Sequence, residues 1–117
     1  MSTTDLLPIA KLLLPEVLVS YFELTHHKIK ADELHFYFAE YNELPQEYKQ
    51  GEALSKGFYS EITIQDFPIR GRRVYLHVKR RRWQDKKSGK ILTRDWDLVA
   101  KGTRMTKEFA AFLKYMH

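Results

Sequence analysis

The sequence predicts a single α+β domain: N-terminal helices, two antiparallel β-hairpins forming a small twisted sheet, and a C-terminal helix. Three observations carry that prediction. Period-two runs rich in branched and aromatic residues occur at 22–29, 34–38, 61–66 and 72–83. Helical spacing of apolar residues is confined to the two ends of the chain. The length of 117 residues with 44% apolar content suffices for one modest core but not comfortably for two.

Within this plan, residues 1–22 form a helical segment. Leu6, Ile9, Leu13, Val17 and Tyr21 fall at roughly helical spacing, with Asp5 as N-cap. Pro15 lacks an N–H and clashes with the turn before it, so it starts a second short helix or kinks the first. Residues 23–40 form the first hairpin, turning at Lys30, Ala31 and Asp32. From Glu40 to Gly57 the chain is polar, carries Pro45 and Gly51, and shows no period, which predicts an exposed connection. The basic hairpin region, 61–99, begins with a strand at Glu61–Asp66 and turns through Pro68 and Gly71. Arg72 to Trp83 is one long strand, Ser88 and Gly89 make the next turn, and Lys90 to Val99 returns, ended by Gly102. In the last segment, 106–117, Thr106 caps a helix that places Phe109, Phe112, Leu113 and Met116 on one face.

Charge is divided unevenly along this chain. The net charge is +5, but residues 1–69 hold five Lys against eleven acids, whereas residues 70–117 hold fifteen Lys or Arg against four. An acidic part joined to a strongly basic part is the footprint expected when one surface meets phosphates and the other does not; the plainer alternative is a solvated charged surface. The stretch RGRRVYLHVKRRRWQDKKSGKILTR, residues 70–94, interleaves cations with aromatics.

A turn centred on Ser88 and Gly89 sets Val78 opposite Val99, Arg80 opposite Asp97 and Arg82 opposite Asp95. On the other face it sets Arg81 opposite Trp96 and Trp83 opposite Arg94. In this register Arg80 and Arg82 are largely spent on the aspartates. The cations left for phosphates are Arg70, Arg72 and Arg73 at one end, Lys86, Lys87 and Lys90 at the tip, and Lys79, Arg81 and Arg94 along the aromatic face. A two-stranded ribbon can enter a major groove or lie along a backbone, and charge placement does not choose between them. Trp83 and Trp96 can stack on unpaired bases, but packing is the commoner role for paired tryptophans, as it is for Tyr75 and Phe67.

Several chemistries are unsupported. With no cysteine in the chain, disulfides, thiol nucleophiles and cysteine zinc sites are excluded. His26 and His27 point to opposite faces of a strand, His35 and His77 are single strand histidines, and Asp95 and Asp97 are better explained by ion pairing than by Mg²⁺. The five glycines are scattered singly, so no phosphate-cradling loop is present. Neither a membrane span nor a secretory leader is apparent. The expectation is a cytoplasmic, non-enzymatic protein without metal or cofactor.

The stretches GFYSEITIQDFPIRGRRVYLHVKRRRW and TRDWDLVAKGTRMTKEFAAFLK resemble the N-terminal-region protein of ISAon-type insertion-sequence transposases. ITIQDFPIRG at 62–71, VKRRRW at 78–83 and AKGTRMTKEFAAFL at 100–113 are the most specific parts, and the resemblance covers nearly the whole chain. The segment DFPIRGRRVYLHVKRRRW is also similar, more faintly, to the zinc-ribbon region of other insertion-sequence transposases. There a basic strand ends at a zinc-ligand cysteine, and Trp83 stands at that place here. The resemblance implies a non-catalytic module that recognises element ends in double-stranded DNA, with the catalytic domain supplied by another chain or reading frame. It also implies a hairpin held without zinc. Two other readings remain: a protein-interaction module that docks on the catalytic transposase chain or forms a homo-oligomer through its N-terminal part, and an RNA or single-strand binder using Trp83 and Trp96.

Overall fold

The structure is a computed structural model that describes residues 8–9, 12–49, 51–94 and 103–116. It is α+β, with helices at the two ends and, among the described residues, seven strands in two sheets. Asp5, Leu6, Asp95, Trp96, Asp97, Val99 and Gly102, all named above, lie outside the described residues.

Pro15 acts as the sequence suggests. It precedes the short helix α1 (Glu16–Tyr21), and its carbonyl accepts from the Leu18 and Val19 amides. One face of α1 delivers Leu18, followed by Phe22, into the main core. The first hairpin is formed by β1 (Phe22–Lys30) and β2 (Glu33–Glu40), joined through Ala31 at φ 47 and Asp32. A register shift between Leu24 and His26 bulges the outer strand.

The next strands depart from expectation. The polar connection contains β3 (Ala53–Phe58), which is followed by β4 (Ile62–Ile69), β5 (Arg72–Lys79) and β6 (Arg81–Asp85). The long strand anticipated over 72–83 is interrupted at Arg80. Its two halves pair with different strands: β4 with β5, and β3 with β6, both antiparallel. Successive partners run Ala53↔Asp85, Ser55↔Trp83, Phe58↔Arg81, Ile62↔Val78, Asp66↔Val74 and Ile69↔Arg72, and the Tyr59 amide bridges the break by donating to Arg80 O. Strands β3 to β6 are therefore one long hairpin, about 45 Å at the strand rise per residue.

The turn of this hairpin is also tighter than expected. Pro68 sits inside β4, at a register shift between Asp66 and Ile69 where the lost N–H costs no ladder bond. The reversal is made by Arg70 and Gly71 alone, at φ 52 and 79. Two successive positive φ values are the type I′ geometry that matches strand twist.

Two sheets result. In the larger, ordered β1-β2-β5-β4, two antiparallel hairpins are joined side by side through a parallel pairing of β2 with β5. Its buried face holds Leu24, Phe38, Ile64, Val74, Leu76 and Val78, covered by Leu14 and Leu18. The smaller sheet is β3-β6-β7, where β7 is Ile91–Leu92, and its core is Ala53, Trp83 and Leu92 with Leu44 and Tyr48 packed against them. The C-terminal helix α2 (Lys107–Tyr115) docks on β4. Thr106 caps it by accepting from the Phe109 amide, and the same hydroxyl donates to buried Asp66 at 2.9 Å. Phe109 is buried, but Phe112 and Met116, expected on the covered face, are 46% and 67% exposed.

Candidate nucleic-acid interface

The nine cations selected from the sequence fall into three environments. Arg70 and Arg72 are exposed at the reversal of the long hairpin. Arg73, beside them, is exposed but ion-paired with Asp32 and Glu33 of the first hairpin, at 3.2 and 2.9 Å. Lys86, Lys87 and Lys90 are exposed at the other end of the ribbon, and Lys79 is exposed between the two ends. The basic residues thus form two groups separated by the full run of β5 and β6, joined by Lys79.

Arg81 and Arg94 lie elsewhere. The Arg81 amide donates to Glu40 Oε1 at 2.9 Å, its Nε to Glu40 O and its Nη1 to Ser55 Oγ. Its guanidinium also covers the Phe58 ring. Arg94 Nε stands 3.7 Å from Glu40 Oε2, its Nη2 donates to Glu43 O, and it overlies Tyr21. Glu40 is 2% exposed. Both residues are therefore tied to Glu40: its buried carboxylate faces the Arg81 amide and Arg94 Nε, while the Arg81 guanidinium is taken up by Glu40 O, Ser55 Oγ and the Phe58 ring, so a phosphate would have to displace these partners.

The register of the β6–β7 turn requires a correction. Trp83 pairs with Leu92 and Gln84 with Ile91, not Trp83 with Arg94. The loop holds four residues, 86–89, instead of two, because Asp85 organises it: its side chain accepts from the Lys87 amide at 2.8 Å and its carbonyl from the Gly89 amide. Gly89 takes φ 72 and Gln84 Nε2 donates to its carbonyl. The turn consequently presents Lys86 and Lys87 from a fixed backbone. Arg80 and Arg82 lie over the Tyr59 ring at 5.0 and 5.8 Å; Asp97 and Asp95, to which the two-residue register assigned them, lie outside the described residues.

Trp83 is a packing residue. It is fully buried, and its Nε1 donates to Asn42 Oδ1 at 2.8 Å. It closes the base of the long hairpin, where Ser55 faces it across the ladder.

The open face of the larger sheet carries an array the sequence did not reveal. Rings of His26, Tyr37 and His77 stack in series at 4.0 and 4.3 Å, and those of His35 and Tyr75 lie alongside. One tautomer set satisfies every bond: His35 Nε2 donates to Glu33, His77 Nε2 to His35 Nδ1 at 2.8 Å, and Thr63 Oγ1 to His77 Nδ1. Burial pushes His77 below the usual imidazole range; Glu61 opposes that, and His35, His26 and Lys28 reinforce it. The sequence signal was present, since His35, Tyr37, Tyr75 and His77 alternate within two strands. What was missing was the parallel pairing that brings those strands together.

Residues 51–84 match a family model described as the zinc-finger of transposase IS204/IS1001/IS1096/IS1165. The match spans fewer than a third of the residues and coincides with the long hairpin, β3 to β6. It is a likeness to an insertion-sequence transposase region, and it does not distinguish the ISAon type. No curated protein and no solved structure matches. The residues do not fit the zinc that the description names. The chain has no cysteine, and among the described residues no three His, Asp or Glu side chains converge on a metal position. The base of the hairpin is filled instead by Ala53, Trp83 and Leu92. No described helix is long and apolar enough to cross a membrane.

Proposed function

We propose that this chain is a non-catalytic DNA-binding module of an insertion-sequence transposase, of the N-terminal kind, that binds element ends in double-stranded DNA through its long basic hairpin. The observation that carries the reading is the coincidence of the transposase-region likeness with the hairpin on which the exposed cations sit. Arg70 and Arg72 at the reversal, Lys79 along the ribbon, and Lys86, Lys87 and Lys90 at the base are the phosphate contacts; Arg73 contributes once released from Asp32 and Glu33. Arg81 and Arg94 are assigned to holding the sheets together. Catalysis belongs to a separate transposase chain or domain.

Fluorescence anisotropy with random duplex DNA, matched single strands and RNA across a salt series tests this. Roughly six phosphate contacts give a slope of about −5 in log K against log salt. Charge reversal of Arg72, Lys86 and Lys87 to Glu abolishes duplex binding in this reading, and a slope near zero refutes it. The exposed Phe112, Tyr115 and Met116 on α2 favour a second reading, docking on the catalytic chain. That reading predicts that Phe112→Ser releases a co-purified catalytic chain without changing DNA affinity.

A further inference from the structure

Beside β4 lies a groove of about 480 Å³ lined in part by Glu61, Thr63, Arg80 and Arg104, which no feature of the sequence suggested. Its wall is a free strand edge. The Gln65 amide donates to Arg104 O at 2.7 Å and Gln65 O accepts from the Thr106 amide, so this parity of β4 directs its peptide groups away from β5. Two residues earlier, Thr63 has the same parity and turns its amide toward the groove.

Two guanidiniums share the groove. Neither Arg80 nor Arg104 makes an ion pair among the described residues, and Arg80 Nε is buried without a hydrogen-bond partner. Arg80 is held in place by the Tyr59 ring, which is fixed in turn by a hydrogen bond between its hydroxyl and Thr93 Oγ1. Glu61 brings one negative charge to the groove against the two guanidiniums.

We propose that this groove is a phosphate-binding pocket in which the Arg80 and Arg104 guanidiniums and the Thr63 amide take the oxygens of one phosphate group. The DNA-binding reading bears only on the source of that phosphate: a backbone phosphodiester bound here fixes how the hairpin sits on the duplex, because Arg80 lies midway along the ribbon.

The test follows amide and Arg Nε–H resonances of the full chain during titration with inorganic phosphate, and anisotropy with duplex DNA, for wild type, Arg80→Gln and Arg104→Gln. Exposed Arg104 is the variant that leaves folding intact. Phosphate is expected to shift the Arg80 Nε–H and Thr63 amide signals saturably. Arg104→Gln is expected to weaken phosphate binding about tenfold, as loss of one charge-assisted contact does, and to make the DNA salt slope shallower by about 1. Saturable phosphate shifts with wild-type DNA affinity in Arg104→Gln assign the pocket to free phosphate and overturn the phosphodiester source alone. Absence of shifts at Arg80 and Thr63 at tens of millimolar phosphate overturns the pocket, whether or not the chain binds DNA elsewhere.

Discussion

Trp83 stands where the zinc-ribbon resemblance places a metal ligand, and the structure makes it the centre of the smaller core; its removal should therefore open the base of the long hairpin. The side chain is completely buried against Ala53, Leu92, Leu44 and Tyr48. Trp-to-Ala replacements in cores cost roughly 3–5 kcal/mol. About 1 kcal/mol of that is the Nε1–H bond to Asn42. Asn42 is exposed, so its carbonyl regains water and no unsatisfied-acceptor penalty is added. The cluster is small and β7 is short enough to collapse inward, which favours the lower end, about 3 kcal/mol. Trp83→Phe keeps a ring in the site and should lose about half as much. Urea unfolding followed by far-ultraviolet circular dichroism, with hydrogen exchange at β3 and β6 amides, measures both variants. The exchange loss should concentrate in β3, β6 and β7, because the larger sheet has its own core. A Trp83→Ala midpoint equal to wild type, or a wild-type midpoint lowered by a zinc chelator, would refute the view that packing replaces the metal.

Three further outcomes follow from the geometry. Glu40→Ala strips the buried carboxylate from Arg94 and from the Arg81 amide and should destabilise by about 3 kcal/mol, with Glu40→Gln losing less; equal stability in denaturant titration would mean that these groups find other acceptors. Thr106→Ala removes both the α2 cap and the bond to Asp66, which should cost about 1–3 kcal/mol, whereas Thr106→Ser should recover most of it; the pair is compared by thermal melting. Because His77 is held below its ordinary value of 6.5, the unfolded chain binds its proton more readily. Its contribution to stability is complete above about pH 6.5 and is lost as pH falls through the lowered folded value. His77→Gln should flatten that part of the stability-against-pH curve, and identical slopes for the two proteins would show that another group titrates there.

What could be read directly from the sequence was local. Alternation marked β1, β2 and β5 because successive side chains of a strand must face opposite ways, Pro15 marked the start of α1 because it has no N–H to give, and Thr106 marked the start of α2 because a short hydroxyl reaches the N3 amide. The concentration of cations after residue 69 was equally plain. Partners were not legible. The strand β3, ALSKGF, has a glycine and little alternation, so only its pairing with residues 81–85 makes it a strand. The parallel contact of β2 with β5 builds the stacked imidazoles from residues some forty positions apart. A buried Glu40 decides that Arg81 and Arg94 brace the fold while their neighbours stay in solvent. A residue's type and period specify which way its side chain points relative to its own strand, whereas burial, ion pairing and access to a ligand depend on what the rest of the chain brings to that face.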